Sequence, residues 1–137
     1  MDQTQTMEQA WLDALNAHDV EGVLACFTED AVFTEVGTGQ VARGRDELRA
    51  MTQGFFATFS DLHIERTSAV TDGTMLAHEF TMSGVHSGSA PGFEATGKSF
   101  SLPGAIVAQL RDGLISRATE YWNMADLLTQ VGVLPGR

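Results

Sequence analysis

Four residues in this sequence carry side chains that exchange protons and sit in apolar company: Glu35, His86, Glu120 and Asp126. The densest setting is the run Leu114 to Val131, LISRATEYWNMADLLTQV, which reads as a strand passing into a short helix. Side chains alternate along a strand, so Leu114, Ser116, Ala118, Glu120, Trp122 and Met124 share one face, and Ile115, Arg117, Thr119, Tyr121 and Asn123 the other. The first face sets a carboxylate beside an indole. Asp126 follows four residues after Trp122, where Leu127, Leu128 and Val131 begin a helical stripe. Glu35 closes one apolar strand and His86 another. Carboxyls in apolar surroundings have raised pKa values and exchange protons near neutral pH. Each candidate also has a plainer explanation. Glu35 would be a solvated turn acid, Asp126 a helix-capping or first-turn acid, Glu120 a surface partner of Arg117 or Lys98, and His86 an exposed strand end. A buried Glu120 must be paired, protonated or functional, because burying it unpaired is costly.

The elements that would position these residues can be followed along the chain. Residues 3 to 18 place Met7, Trp11, Ala14, Leu15 and His18 on one helical face. Asp19 reads as the N-cap of a second, short helix with Val20, Val23, Leu24 and Phe27 inward. Thr28, Glu29 and Asp30 read as a polar turn, Ala31 to Val36 as a strand, and Gly37 to Gly39 as the turn that ends it. A third helix begins near Gly44, with Asp46 and Glu47 in its first turn and Leu48, Met51, Phe55 and Phe59 as its stripe. Four strands follow. Leu62, Ile64, Arg66 and Ser68 alternate in the first, and Asp72-Gly73 turns it into the second. There His78, Phe80, Met82, Gly84 and His86 share a face. Residues 87 to 97, rich in Gly, Ser and Pro, read as a mobile loop. Lys98 to Leu110 is apolar on both faces, hence central, with a bulge or bend expected at Pro103. Arg111-Asp112-Gly113 is the next turn. His18 and His63 read as surface residues.

The 137 residues carry a net charge of −10, with 43% apolar residues. One domain with a single core is expected, large enough to hold a cavity. The acidic balance and scattered Lys and Arg exclude nucleic acid and an anionic membrane as partners. The lone Cys26, beside Leu24, Ala25 and Phe27, reads as a core thiol and excludes an internal disulfide. Without a signal-like segment or an apolar run of about 18 residues, a cytoplasmic protein is expected. No HxH, HExxH or Gly-rich phosphate loop is present, so neither metal nor cofactor is expected.

This order of elements resembles the nuclear-transport-factor-2-like superfamily. EQAWLDALNAHDVEGVLACFTEDAVFTEVG (Glu8 to Gly37) is similar to the opening of ketosteroid isomerases. EYWNMADLLTQVGVLP, with GVHSG and ATGKSF, resembles the SnoaL-like polyketide cyclases, or ester cyclases. The implied fold is α+β: one SnoaL-like domain over residues 1–137. Its cone-shaped, curved antiparallel sheet, three N-terminal helices and short C-terminal helix would enclose an apolar cavity. By the resemblance, Glu35 takes the place of the isomerases' Asp base and points into the cone. Trp11 replaces their oxyanion Tyr, and Ile106 falls where their second oxyanion acid stands. With that oxyanion hole missing, plain ketosteroid isomerase chemistry is not implied. Asp126 best matches the cyclases' late acid, with Glu120 retained beside it.

The resulting expectation is a cofactor-independent enzyme. Glu35, Asp126, Glu120 and His86 would carry acid/base work, and Trp11, Trp122, Phe55, Phe59, Met82 and Met51 would line the pocket. Its substrate would be a small apolar carbonyl compound, cyclised or isomerised through an enolate. Two rivals remain: a limonene-type epoxide hydrolase, needing an inward Arg for which Arg66 and Arg117 are the strand candidates, and a non-catalytic small-ligand binding module. A homodimer through the outer sheet face is implied by the resemblance.

Overall fold

The structure, a computed structural model, describes residues 3–89 and 94–135. Ten elements run in the order α1 (Gln3–Asn16), α2 (Val20–Leu24), β1 (Phe27–Glu35), β2 (Gln40–Arg43), α3 (Gly44–Thr58), β3 (His63–Thr71), β4 (Met75–Val85), β5 (Ser99–Arg111), β6 (Leu114–Trp122) and α4 (Met124–Gln130). The six strands form one open, curved sheet in the order β2-β1-β6-β5-β4-β3. Neighbours are antiparallel except β1 and β6, which run parallel. α1 and α3 pack against the sheet through β3 and through β1 and β2, and α4 lies on β5. The α+β architecture read from the sequence is the observed one.

Local chemistry explains the elements. Asp19 caps α2, its side chain accepting from the Gly22 N–H at 3.0 Å. Asp112 and Gly113 both take positive φ, which the tight β5–β6 hairpin requires. Asp72 accepts from the N–H groups of Thr74 and Met75, folding the β3–β4 turn. Cys26 is buried as expected, and burial pushes its thiol up to about 11.

Four sequence expectations are corrected. Thr28 to Asp30 is not a turn, because β1 starts at Phe27 and slips register against β6 before Val32. The short strand β2 was not anticipated. Pro103 makes no bulge and pairs in unbroken register with Thr81. Two residues earlier, the Ser101 N–H points away from β4 and donates to Gln130, so the N–H that Pro103 lacks would also face away from β4. The bulge lies instead in β6 at Ser116, between the pairs Gln109–Arg117 and Leu110–Ile115. It reverses the alternation, so Ile115 is fully buried on the same side as Ala118 and Trp122. The expected loop at 87–97 falls partly on residues 90–93, outside the described residues, as do Gly136 and Arg137 of the tail.

Register turns these strands into inward rows. Phe33, Ala118, Ala108 and Leu76 are successive partners across four strands, and so are Glu35, Glu120, Ile106 and His78. A third row sets Trp122 and Phe80 on either side of Gly104. A Cβ on Gly104 would come within 2.5 Å of the Phe80 ring and 3.0 Å of the Tyr121 carbonyl oxygen. Gly104→Ala should therefore destabilise the protein by about 1–3 kcal/mol, the usual range for overpacking. Urea unfolding measures this, and an unchanged midpoint would show that the row has slack.

Candidate functional site

Two glutamates stand abreast at the centre of the concave face. Glu35 is the last residue of β1, and its partner in the parallel ladder is Glu120 of β6. Alternation brings both inward, Glu35 behind Ala31 and Phe33, and Glu120 between Ala118 and Trp122. Glu35 is completely buried. Neither of its oxygens forms a hydrogen bond, and neither does the buried indole Nε1 of Trp122. Glu120 keeps some accessible area but is densely surrounded, as a cavity-lining side chain is. Gly37 packs against the Trp122 indole, where an added Cβ would come within 2.7 Å of the ring.

Such a pair cannot hold two charges. Desolvation raises the Glu35 pKa to about 10, helped by the charge of Glu120. The Gly37 N–H and the Trp122 indole act in the opposite direction. Glu120 is raised too, by burial, with Glu35 and Trp122 opposing. The indole N–H is near enough to favour the charged form of both acids without closing a hydrogen bond. The pair therefore retains at least one proton through neutral pH and titrates as a unit.

One cavity holds this pair and a second lies next to the first. The inner one, about 70 Å³, is lined by Glu35, Glu120, Trp11, Met82, Phe80 and His78, among others. The outer one, about 460 Å³, is lined by Phe59, Trp122, His86 and the apolar residues of α4. Met51 and Phe55 line both, so the two share a wall. The outer volume suits a small organic molecule, whereas the inner one takes only a single functional group. The structure thus brings nine of the ten sequence candidates to the cavities. Asp126 lies outside both. It is the third residue of α4, its N–H capped by Asn123 and its carboxylate accepting from Gln130. His86 is buried rather than exposed, with Nδ1 3.1 Å from Thr96 Oγ1, and it does not reach the inner cavity.

Sequence reasoning missed the group on the opposite wall. Glu8 of α1 is buried, forms a salt bridge with Arg66 through Oε2, and lies 3.0 Å from His78 Nδ1 through Oε1. The signal was present, since Thr4, Glu8, Trp11 and Leu15 follow helical spacing. His18, expected at the surface, is half-buried. Its positive φ ends α1 and stacks its ring on Phe56 at 4.3 Å. Among the described residues, no cluster of three or more His, Cys, Asp or Glu could hold a metal ion. No described helix is long and apolar enough to cross a membrane.

Comparison with known proteins places this architecture. The SnoaL-like domain model matches residues 9–118, and the chain belongs to that family. A proposed polyketide cyclase from Silicibacter sp. TM1040 is 31% identical over 93% of each chain, with a TM-score of 0.79. Another from Xanthomonas campestris is 27% identical, covering 94% of this chain and 96% of its own, with a TM-score of 0.83. A protein of ketosteroid isomerase-like fold from Catenulispora acidiphila, 20% identical over 92% of each chain with a TM-score of 0.81, shares the fold. None of the curated proteins matches.

The buried pair makes stability depend on pH. Glu35 keeps its proton in the folded chain up to about 10 but releases it near 4.5 when unfolded. Between those values the folded state binds the extra proton, so its stabilisation is full below about pH 4.5 and is lost as pH rises. Glu35→Gln, which stays neutral, should flatten this decline. Urea midpoints at pH 5, 7 and 9 test it, and parallel slopes in both proteins would refute a buried proton on Glu35.

Proposed function

We propose that the chain is a cofactor-independent enzyme of the polyketide-cyclase kind, acting on a small apolar carbonyl compound by enolate-type cyclisation or isomerisation. The observation that carries this reading is the Glu35–Glu120 pair, two adjacent carboxyls that retain at least one proton, in an apolar cavity beside an unpaired indole N–H. Glu120, as carboxylate, removes a proton next to the substrate carbonyl. Glu35, as acid, donates to the carbonyl oxygen as charge develops there, with the Trp122 N–H as a second donor. The body of the substrate occupies the outer cavity, against Phe59 and Trp122. Glu120 thus takes the base role that the resemblance gave to Glu35 or Asp126, and Glu35 becomes the acid. A carboxylic acid beside a carboxylate is an arrangement suited to proton transfer at carbon.

An epoxide hydrolase is not favoured. Arg66 is engaged by Glu8 and Gln9, and Arg117 is exposed, so neither stands between two cavity acids. The protein would act in the cytoplasm, as a homodimer through the outer sheet face where Val107 and Tyr121 are exposed.

Hydrogen–deuterium exchange at the methylene of benzoylacetone, an apolar β-diketone, tests the chemistry. Wild type should accelerate it, and Glu120→Gln and Glu35→Gln should each lose about 10²- to 10⁴-fold, the usual worth of one acid or base. Asp126→Asn should stay near wild type. Tight binding without acceleration would sink the enzyme reading and leave a binding module.

A further inference from the structure

The reaction proposed for the carboxyl pair leaves one buried titratable group of the inner cavity unused. His78 lies on the same inward row as Glu35 and Glu120, separated from Glu120 by Ile106. Two strand spacings put its Cα roughly 10 Å from that of Glu120. Both side chains line the inner cavity, so the imidazole and the carboxyl pair bound a single small space from two sides.

The ring is held firmly. Trp11 stacks on it with centroids 5.5 Å apart and an interplanar angle of 21°, and Phe80 meets it edge-on at 5.7 Å. Nδ1 lies 3.0 Å from Glu8 Oε1. Arg66 occupies Oε2 of the same carboxylate and also bonds Gln9, so Glu8 is fixed as an acceptor. An acceptor there assigns the proton to Nδ1 and leaves the lone pair on Nε2. Nε2 has no hydrogen-bond partner among the described residues. The charged groups facing the ring are Glu8 from α1 and Arg66 from β3, with Glu35 and Glu120 across the cavity. Burial keeps His78 below its ordinary value, with Arg66 adding to that and Glu8 opposing, so the ring is neutral at pH 7.

We infer that His78, positioned by Glu8, is a second base of the inner cavity, and that the site therefore takes conjugated enol–carbonyl compounds with proton-exchanging positions at both ends. The inference rests on the proposed role of the carboxyl pair. In the step, the substrate O–H or C–H bond at the His78 end breaks and its proton goes to Nε2. The electron pair shifts through the conjugated system. Both carboxyls hold a proton in this step, so Glu35 delivers its own at the far end and the pair is left with a single charge. The substrate is isomerised with no net gain or loss, and an imidazolium between Glu8 and the cavity balances the new carboxylate. Once the product has left, the imidazolium gives its proton to solvent and Glu35 takes one back from it, which resets the site.

The same benzoylacetone exchange, followed from pH 4 to 9, tests this alongside ¹⁵N NMR of the His78 ring. Wild type should lose activity as pH falls through the His78 pKa, below its ordinary 6.5. His78→Gln, whose amide can still donate to Glu8, should lose at least about tenfold in kcat and lack that acidic limb. Benzoylacetone binding, read by tryptophan fluorescence, should be little changed. Glu8→Gln should move the limb to lower pH, because the carboxylate that favours the imidazolium is gone. Benzoylacetone should also shift the Nε2 resonance. An Nε2 resonance unmoved by benzoylacetone, or a limb retained in His78→Gln while Glu120→Gln abolishes exchange, makes His78 a structural pin and leaves the carboxyl pair standing. A wild-type protein inert toward benzoylacetone overturns both.

Discussion

Two carboxyls side by side without water cannot both be ionised, and much of this molecule is arranged around that constraint. The parallel pairing of β1 with β6 places Glu35 and Glu120 at one level. The concave face supplies the low dielectric, through Trp11, Phe33, Phe80 and Met82 around the inner cavity. In water, two such carboxylates would simply repel weakly across solvent. Here the solvent is removed, so the favourable state is one in which a proton stays. In the proposed reaction that proton goes to the substrate, and the carboxylate beside it takes one away.

That geometry depends on contacts distant in sequence. β1 and β6 come from opposite ends of the chain and meet only once the sheet is assembled. Parallel neighbours need a long connection, and here everything from β2 to β5 serves as that connection. The β1–β6 pairing brings the glutamates together, and the buried Phe27, Ile115 and Ala118 pack along the same two strands. The helices close the same face. α1 brings Trp11 and Glu8 to the wall opposite the pair, and α3 contributes Met51 and Phe55 where the two cavities meet.

What was legible in the sequence follows from the range of the forces involved. Asp19, Asp72-Gly73 and Asp112-Gly113 act within four residues, and their cap and turns were all readable. The β4 face from His78 to His86 was readable because no irregularity breaks its alternation. The β6 face was readable only beyond its bulge, so Glu120 and Trp122 were placed inward while Ile115 was assigned outward. Nothing local marks Ser116 as the extra residue, since the bulge is set by the register of β5. Asp126 drew attention by its spacing from Trp122, but that spacing crosses a strand–helix junction where neither periodicity applies. Glu8 was overlooked because the α1 stripe was traced through Met7, Trp11, Ala14, Leu15 and His18, which leaves Glu8 off it. Its burial makes sense only once Arg66 and His78, far along the chain, are beside it.

The unsatisfied atoms of the site connect stability to function. Leaving a buried donor or acceptor unpaired costs about 1–3 kcal/mol, and this fold leaves both Glu35 oxygens and the Trp122 indole N–H in that state. Apolar residues of similar shape would remove that cost and give a better core. The arrangement is economical only when something else completes it. In the proposed reaction a carbonyl oxygen at the pair would accept from the Glu35 hydroxyl, with the indole N–H as a second donor, and both bonds would strengthen as negative charge builds on that oxygen. A hydrocarbon entering the same space gains neither bond. On the proposed function, instability left in the empty site becomes preference for a substrate that brings the acceptor which the folded chain lacks.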